Sequence, residues 1–413
     1  MAQIRPFRAY RPCQGMEKRI AALPYDVYNR EEACEVVKKN PDSFLAVDRA
    51  ETQFGEEVDT YADCVYEKAD QMLREKILEG KFVQDPTPCF YLYELTMDGH
   101  SQTGVVGCAS IDDYRNNVIK KHENTRADKE EDRIRHVDTC SMQTGPIFLA
   151  YRAKEDLKEK IGDLKKHAPV YDFVSEDGIG HRVWVIDNDS DVAMIEEAFG
   201  KIPAIYIADG HHRCASAVKV GLKRREQYPD YTGEEEFNYF LSVIFPDEEL
   251  RILDYNRVVK DLNGMDVATF LTRIEEYFAV EKKGQSPYRP TEKGTFGMYL
   301  ENEWYSLSAK DEIKSEDAVE GLDVSLLQND LLDPILGIMD PKTDKRIDFV
   351  GGIRGLGELE RRVHTDMKVA FSMYPTSIAE LFAVADAGRL MPPKSTWFEP
   401  KLRSGLFLHE IER

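Results

Sequence analysis

The stretch Tyr206–Ala217, which reads YIADGHHRCASA, has the features of a buried strand, a tight turn and a helix start. The apolar run Lys201–Ala208 leads into Asp209, and a glycine then permits the turn. Two histidines and Arg213 open the predicted helix. Helix N-termini attract anions because their first N–H groups are unpaired, and arginine binds phosphate or carboxylate as a fork. The stretch therefore predicts an anion site at a strand end, in a chain that mixes helices and strands.

Two other interpretations of this stretch stay open. Asp209 could cap the helix while His211 and His212 pair with neighbouring carboxylates. A structural zinc site is the other alternative, but adjacent histidines at a helix start diverge, and no C-x-x-C or H-x-x-x-H pattern accompanies them. The combination of Asp, two His and Arg favours a functional role over packing.

A second polar cluster, KKHENTR at Lys120–Arg126, follows the apolar pair Val118-Ile119. We expect it at a strand end or in the following loop. Glu123 beside His122 could supply a carboxylate base with an imidazole neighbour. A solvated run of charges explains the cluster equally well on its own.

A third cluster, LMPPKSTWFEPKLRSGL at Leu390–Leu406, is locally basic, with three basic side chains against one acidic. Its side chains Lys394, Ser395, Thr396 and Arg403 can donate hydrogen bonds to anionic oxygens. The cluster predicts a small phosphate or carboxylate pocket. An ordinary proline-rich loop is the alternative.

The remaining chain has helical and strand-like segments without internal repeats. A regular βαβαβ series is missing from the sequence, so we predict an α+β (mixed α/β) fold rather than a doubly wound sheet. The almost wholly charged segment 128–138 is expected to be an exposed helix. A hairpin is predicted around Asp98-Gly99. The other predicted helices cover about 30–40, 61–79 and 154–166, and predicted strands include 147–151, 201–208, 240–245 and 406–411.

The 413 residues include 55 Lys and Arg against 76 Asp and Glu, which gives a net charge of −21. The length suggests two or three domains, and 42% hydrophobic residues are enough for folded cores. The acidity disfavours nucleic acid and anionic membranes as partners, so a phosphate ligand needs a local basic pocket. Seven dispersed cysteines, no signal-like N-terminus and no membrane-length apolar run predict a soluble, cytoplasmic protein.

Several segments together resemble one known family. They are IRPFRAYRP at Ile4–Pro12, PYDVYNREEA at Pro24–Ala33, NPDSFLAV at Asn40–Val47, KHENT at Lys121–Thr125, GPIFLAY at Gly145–Tyr151, YIADGHHR at Tyr206–Arg213 and MPPKSTWFEPKLRSGL at Met391–Leu406. In this order, over essentially the whole chain, they resemble the free-serine kinase (SerK-like) family, long catalogued as a domain of unknown function. DGHHR and MPPKST are the most specific parts of the match.

The resemblance implies a ParB/sulfiredoxin-like catalytic core with N- and C-terminal α/β additions. We therefore expect an N-terminal α/β segment over 1–115, the core over 116–260, and a C-terminal α/β domain over 261–413 that contributes to the active site. Known members phosphorylate free L-serine to O-phospho-L-serine with Mg²⁺, from ADP, ATP or inorganic pyrophosphate. Because the sequence has no Walker lysine and no reliable dinucleotide loop, pyrophosphate is the favoured donor.

The resemblance also implies roles for single residues. Glu123 matches the glutamate that acts on the serine hydroxyl. Asp209, His211, His212 and Arg213 match the motif that holds phosphates and metal, with Asp209 as the Mg²⁺ ligand. The interval between the two motifs is longer here than in compact single-domain members, which weakens the match of the glutamate.

The other candidates are expected to bind substrate or phosphate. Lys394 and Arg403 would hold the far phosphate of the donor or the serine carboxylate, and His122, Ser395 and Thr396 would complete the binding residues. The expected partners are thus L-serine and a phosphate donor, with neither nucleic acid nor membrane. A homo-oligomer is compatible with the sequence, which leaves the oligomeric state open.

Two other functions are compared with the kinase. Sulfiredoxin-like reduction needs a cysteine directly after the glycine of the motif, where this chain has His211, and Cys214 comes three positions later. A ParB-like, nucleotide-switched DNA-binding or regulatory module needs a helix-turn-helix and a basic face. The net charge of −21 disfavours that module.

Overall fold

The computed structural model describes residues 1–412 and divides into two compact units. Unit 1 comprises Met1–Leu250 together with the chain from Pro400 onward, and unit 2 comprises Arg251–Glu399. Both units mix helices and strands, so the predicted mixed α/β class is confirmed. The three-part domain division stays a prediction. Within residues 1–412, none of the helices combines the length and the apolar composition that crossing a bilayer requires.

Unit 1 is built on a nine-stranded sheet with two smaller strand pairs beside it. Its strands are β1 (Ile4–Arg5), β2 (Tyr10–Pro12), β3 (Phe82–Gln84), β4 (Phe90–Met97), β5 (His100–Ser110), β6 (Ile119–Lys120), β7 (Met142–Gln143), β8 (Ile147–Tyr151), β9 (Tyr171–Val174), β10 (Gly180–Ile186), β11 (Ile205–Asp209) and β12 (Tyr239–Pro246), with a final short strand at His409–Glu410.

The order of the large sheet is β6-β11-β8-β12-β5-β4-β10-β9, and β1 pairs with β5. Two neighbouring pairs are parallel, β6 with β11 and β8 with β12, and the others are antiparallel. The predicted hairpin is confirmed as β4 and β5. Its turn residues Asp98 and Gly99 both have positive φ, as the tight turns favoured between paired strands require.

The helices of unit 1 follow local capping signals. Before the helix α2 (Arg30–Lys39), the Asn29 side chain accepts from the Glu32 N–H at 2.9 Å, and the Glu32 carboxylate accepts from the Asn29 N–H at 2.9 Å. Pro41 follows the end of this helix, as predicted. The helices are α1 (Glu17–Ile20), α2 (Arg30–Lys39), α3 (Leu45–Asp48), α4 (Asp63–Leu78), α5 (Ile111–Arg115), α6 (Ala127–Cys140), α7 (Glu155–Leu164), α8 (Asp189–Phe199) and α9 (His211–Gln227), with 3₁₀ turns at Tyr25–Val27, Ala50–Gln53, Glu236–Asn238 and Asp247–Glu249.

Two large apolar cores are among the clusters that stabilise unit 1. The larger one packs sheet residues such as Leu149 and Ile207 against the small face of α9 at Cys214 and Ala217. The second joins α2, α3 and α4 around fully buried residues such as Phe44. The larger core holds β11 and α9 together, and these two elements carry the DGHHR stretch.

Helix α6 corrects one prediction. Its charged sequence predicted an exposed helix, but Glu130, Asp132, Arg133 and His136 are buried. Arg133 pairs with Asp132 at 2.9 Å, and its guanidinium lies 4.0 Å from the Tyr25 ring centroid. A buried charge is tolerated where ion pairs and cation–π contacts replace water. The prediction of exposure was wrong because charge density alone does not reveal such partners.

Two predicted strands are shorter than expected. The run 201–208 forms a strand from Ile205 only, because Pro203 cannot donate to a sheet ladder. The C-terminal run 406–411 forms a strand only at His409–Glu410. Both differences lie at element ends, where an apolar pattern does not reveal whether a pairing partner is present.

A glycine of α9 provides a stability prediction. A Cβ atom at Gly221 would lie 2.4 Å from the Phe237 carbonyl oxygen and 2.9 Å from Ile111 Cδ1. We expect Gly221→Ala to lower the free energy of unfolding by about 1–3 kcal/mol, because backbone must move to admit the methyl group. A Cβ atom at Gly162 inside α7 would meet no atom within 4 Å, so Gly162→Ala should raise the free energy of unfolding by about 0.5–1 kcal/mol. Urea unfolding of both variants measures these changes, and equal effects would contradict the packing argument.

Unit 2 contains a six-stranded antiparallel sheet, in which the strands lie in the order Phe278–Gly284, Glu303–Ala309, Thr295–Leu300, Val369–Ser372, Tyr255–Val259 and Ile347–Gly351. A separate pair joins Arg251–Leu253 to Trp397–Glu399. Its core includes Val258, Trp304 and Leu359. The elements are β13 (Arg251–Leu253), β14 (Tyr255–Val259), β15 (Phe278–Gly284), β16 (Thr295–Leu300), β17 (Glu303–Ala309), β18 (Ile347–Gly351), β19 (Val369–Ser372), β20 (Trp397–Glu399), α10 (Val267–Ile274), α11 (Asp323–Leu327), α12 (Leu356–Thr365) and α13 (Ile378–Asp386), with 3₁₀ turns at Asp311–Ile313 and Gly352–Arg354 and a π-helical turn at Gln328–Leu332.

Candidate functional site

The KKHENTR cluster at Lys120–Arg126 and the DGHHR stretch at Asp209–Arg213 lie at one edge of the large sheet. Strands β6 and β11 are parallel neighbours, with Ile119 opposite Ile205, so their carboxyl ends are adjacent. The loop after β6 carries His122 and Glu123, and α9 begins at His211 directly after β11. Carboxyl ends of parallel strands are where side chains from separate chain segments meet around a ligand. The fold therefore brings together two motifs that are far apart in the sequence.

The end of β11 is shaped for such a site. The register between β11 and β8 shifts between Ile207 and Asp209, and a bulge of this kind re-aims the side chain that follows it. Gly210 has φ +90°, in the left-handed region that glycine adopts at little cost. The first turn of α9 contains no acidic residue, so no side chain of that turn neutralises the positive end of the helix dipole. These features favour binding of an anion.

Asp209 is held as a carboxylate by two donors. The Lys401 ammonium donates to Oδ2 at 2.9 Å, and the Gly210 N–H donates to Oδ1 at 2.8 Å. Burial would raise the pKa of Asp209, but the charges of Lys401 and Arg213 outweigh it and hold this pKa well below its usual range. The sequence placed Lys401 only within a basic cluster. No local pattern links it to a carboxylate 192 residues away.

His122, Glu123 and His211 form a compact cluster. One ligand-type atom of each residue lies within 4.8 Å of the others. The two imidazoles meet edge to face, with ring centroids 4.5 Å apart. Burial lowers the pKa of His122 to about 4, although the nearby Ile207 carbonyl and Asp209 oppose it. Burial and then the neighbouring His122 lower the pKa of His211 well below its usual value, so both rings are neutral near pH 7.

The adjacent histidines of the motif, His211 and His212, contact different neighbours. The Nε2 atom of His212 accepts from the Arg126 N–H at 3.0 Å, and its carbonyl accepts from the Ser216 hydroxyl at 2.7 Å. A ring nitrogen that accepts a hydrogen bond carries no proton. His212 therefore helps to position the loop that follows Glu123, and His211 is the one that contacts His122.

Arg213 lies along two glycines at the same edge. Its Nη1 donates to the Pro146 carbonyl at 2.7 Å. A Cβ atom at Gly210 would lie 3.2 Å from the Arg213 Nε, and one at Gly145 would lie 3.4 Å from its Nη1. Arg213 and Tyr25 also line a cavity of about 30 Å³, which has room for about one water. The sequence predicted Arg213 as an anion-binding residue, and the glycines explain how its guanidinium approaches the turn.

Arg403 lies in unit 1 within a different network. Its guanidinium is buried, pairs with Asp177 at 2.5 Å and donates to the Ser175 hydroxyl at 3.2 Å. Its Nε faces the Nε2 atom of His181 at 3.5 Å. The sequence missed this network because its members come from a turn, a strand and the C-terminal segment. The predicted role of Arg403 in binding donor or substrate stays a prediction.

His181 at the centre of this network makes the stability of unit 1 depend on pH. Its ring stacks on Phe173 with centroids 4.8 Å apart, and Nδ1 meets the Tyr93 hydroxyl at 2.9 Å. Burial, followed by the charge of Arg403, lowers the pKa of His181 to about 3. An unfolded histidine takes up its proton near pH 6.5, so between about pH 6.5 and 3 the unfolded chain binds more protons. The stability contributed by the neutral ring is therefore lost as the pH falls.

His181→Gln tests this pH dependence. We expect the difference in free energy of unfolding between the wild type and the variant to shrink by about 1 kcal/mol per pH unit below pH ~6.5. Above that range the ring is neutral in both folded and unfolded chains, so the difference should be constant there. Urea unfolding across pH 5–8 provides the measurement. A difference that does not change with pH would refute the assignment.

Lys394, Ser395 and Thr396 belong to unit 2. Lys394 is exposed, has φ +59°, and its ammonium lies 5.7 Å from the Tyr255 ring centroid. Ser395 is buried and its hydroxyl donates to the Pro392 carbonyl at 2.7 Å, while Thr396 is half-buried. Their predicted contribution to substrate and phosphate binding stays a prediction.

Comparison with solved structures returns distant similarities. A free serine kinase mutant in complex with AMP is 14% identical with a TM-score of 0.37, over 71% of this chain and 87% of that one. SbnI with a C-terminal truncation, from Staphylococcus aureus, is 10% identical with a TM-score of 0.39, over 71% and 82%. A conserved hypothetical protein from Pyrococcus furiosus is 16% identical with a TM-score of 0.35, over 73% and 93%. Similarities this distant carry no conclusion about activity.

The sequence has no match among curated proteins. One family model matches residues 4–325, which is more than half of the chain and includes both the KHENT and the DGHHR segments. The chain therefore belongs to the family described as "Protein of unknown function (DUF1015)".

Proposed function

We propose that this protein is a phosphotransferase that phosphorylates free L-serine to O-phospho-L-serine. The proposal starts from the segments that resemble free-serine kinases. One structural observation carries it further: the Glu123 carboxylate comes within 4.8 Å of His211, the first residue of α9. A carboxylate that can accept a proton thus lies beside a helix N-terminus suited to phosphate.

The phosphate side of the reaction needs charge neutralisation and alignment more than covalent help. The first N–H groups of α9 and the Arg213 guanidinium supply positive charge at the turn after Asp209. The bond from Arg213 to Pro146 uses one of the five N–H donors of a guanidinium. Arg213 would therefore bind phosphoryl oxygens while it stays anchored to the loop before β8.

The serine side of the reaction would use Glu123. Its carboxylate is half-buried, so it is within reach of a substrate that enters from solvent. Glu123 would orient the serine hydroxyl and accept its proton as the oxygen attacks phosphorus, while the bond from phosphorus to the leaving phosphate breaks. Burial keeps the pKa of the His122 and His211 rings beside it low, so both imidazoles are neutral near pH 7.

Mg²⁺ is the cofactor that we propose. Proteins bind Mg²⁺ through one or two carboxylates together with phosphate oxygens of the substrate. Asp209 fits this pattern, because it stays ionised and each carboxylate oxygen has a second lone pair beyond the bonds to Lys401 and Gly210. Mg²⁺ would neutralise phosphate charge there. Lys401 would position Asp209.

Inorganic pyrophosphate is the proposed donor, with ADP or ATP as the alternatives. The sequence contains no reliable dinucleotide-binding loop. The sequence also contains no Walker lysine. A compact donor needs neither of these features.

The direct test incubates the purified full chain with L-serine, Mg²⁺ and pyrophosphate, ADP or ATP in turn. We expect O-phosphoserine, detected by mass spectrometry, with at least one donor and most rapidly with pyrophosphate. L-Alanine, which lacks the hydroxyl, is the matched control and should give no phosphorylated product. Absence of O-phosphoserine with all three donors would refute the kinase proposal.

A further inference from the structure

The cluster of His122, Glu123 and His211 has the composition of a transition-metal site. We propose that these three residues bind a divalent transition-metal ion such as Zn²⁺ or Co²⁺, at a position separate from the Mg²⁺ expected at Asp209. The inference goes beyond the kinase proposal: an ion bound here would occupy the Glu123 carboxylate and so compete with its proposed role as a base. It is tested by metal binding in the absence of serine and phosphate donors.

The geometry of the cluster is close to that of a bound ion. Zinc ligands lie about 2.0–2.2 Å from the metal, so two ligand atoms of a tetrahedral site are roughly 3.4 Å apart. The three candidate atoms here are within 4.8 Å of one another. A contraction of at most about 1.4 Å, through side-chain rotation in a loop and at a helix start, would close the site.

Imidazole nitrogens of the cluster are buried without hydrogen-bond partners. His122 and His211 have exposed fractions of 2% and 6%. Within residues 1–412, neither ring nitrogen of His122 makes a hydrogen bond of good geometry, although the Ile207 carbonyl lies near the ring, and Nε2 of His211 has no hydrogen-bond partner. Buried polar atoms are rarely left in this state, because each one costs the free energy of its lost hydration. A metal ion would engage one nitrogen of each ring and remove that part of the cost.

The chemistry of the donor set selects the metal. Two neutral imidazoles and one carboxylate suit Zn²⁺, Co²⁺ and related ions, whereas Mg²⁺ and Ca²⁺ prefer oxygen ligands. Three protein ligands leave a fourth position for water or another ligand. Sequence spacing alone did not reveal this site, because His211 is joined by a histidine from another strand end rather than by its neighbour His212.

Packing of the two rings against each other is the competing explanation. An edge-to-face contact between imidazoles 4.5 Å apart contributes some stability. It does not account for the buried nitrogens without partners, nor for the approach of the Glu123 carboxylate to both rings. The two explanations differ in a titration with a metal ion: packing alone predicts no binding at the cluster, whereas the proposed site predicts one bound ion per chain.

The experiment titrates the chelator-treated full chain with Co²⁺ and follows its visible absorption. We expect one Co²⁺ per chain, displacement by Zn²⁺ and no displacement by millimolar Mg²⁺. The spectrum should show no thiolate-to-cobalt charge-transfer band, which excludes the cysteines as ligands. His122→Gln, His211→Gln and Glu123→Gln should each weaken binding by at least about 10-fold, the low end of what loss of even an outer partner of a metal site costs.

Two controls locate the ion. His364→Gln removes an exposed histidine of unit 2, and Asp209→Asn removes the carboxylate expected to bind Mg²⁺; both should retain Co²⁺ binding. Near-UV circular dichroism checks that each variant is folded. If the two buried histidine variants unfold, the Co²⁺ affinity of Glu123→Gln, whose position is half-buried, tests the site instead. The proposal is overturned if the folded wild type binds no Co²⁺, if all folded cluster variants keep wild-type affinity, or if Asp209→Asn alone abolishes binding.

Discussion

Glu123→Gln is expected to reduce O-phosphoserine formation by a factor of about 10²–10⁴, the usual contribution of a positioned general base. The amide keeps the size of the side chain and can still accept a hydrogen bond from the serine hydroxyl, but it cannot take up the proton. Serine binding should therefore change less than turnover. Initial rates in excess Mg²⁺, with transition metals removed by a chelating resin, measure the effect separately from occupancy of the His122–Glu123–His211 cluster.

Glu131→Gln is the matched control for this substitution. Glu131 is an exposed glutamate in the first half of α6, eight positions further along the chain. The same chemical change there should leave the rate within about two-fold, since exposed polar substitutions usually have small effects. We expect the free energies of unfolding of both variants to lie within about 0.5 kcal/mol of the wild-type value. Near-normal activity of Glu123→Gln would remove Glu123 from the base role.

Gly210→Ala is expected to produce the second large loss of activity. Gly210 has φ +90°, and the left-handed conformation costs other residues roughly 1–2 kcal/mol. The added methyl group would also lie 3.2 Å from two nitrogens of the Arg213 guanidinium. That contact displaces Arg213 from the turn and misaligns the start of α9. Because a misplacement of about 1 Å can cost 10²-fold in rate, we expect a loss of about that size.

Gly233→Ala separates the backbone cost from the effect on Arg213. Gly233 is also in unit 1, has φ +98°, and a Cβ atom there would meet nothing within 4 Å. We expect both alanine variants to lose about 1–2 kcal/mol of unfolding free energy, but Gly233→Ala to keep most of the activity. Urea unfolding and initial rates of the two variants provide the comparison. Equal activities would show that Arg213 does not need its observed position.

The predictable part of the candidate site was the part built from neighbours in sequence. The strand-turn-helix of Asp209 to Arg213 is present, with Gly210 at the turn and His211 as the first helical residue. Expectation and structure agree here because a strand end, a left-handed glycine and a helix start depend on a few adjacent residues. His122 and Glu123 were candidates from the sequence, but their contact with His211 depends on the parallel pairing of β6 with β11.

Charge patterns were less informative than apolar periodicity. The periodic segments predicted α2 and α4 to within two residues at each end. The charged segment of α6 also formed a helix, but Arg133 and Asp132 are buried as an ion pair, whereas the prediction had them exposed to solvent. An apolar stripe must be buried to lower the free energy, whereas a charged residue is stable in either place if a partner is available.

For this protein, local sequence was sufficient to identify several helices, among them α2, α4 and α7, together with the hairpin and the acidic, mixed α/β character of the chain, because caps, turns and periodicity act over a few residues. The tertiary structure decided which polar groups meet. It pairs Lys401 with Asp209, joins His122 and Glu123 to His211, and engages Arg403 with Asp177. These contacts link residues from distant segments, and they follow from the strand order and the burial that no local pattern encodes.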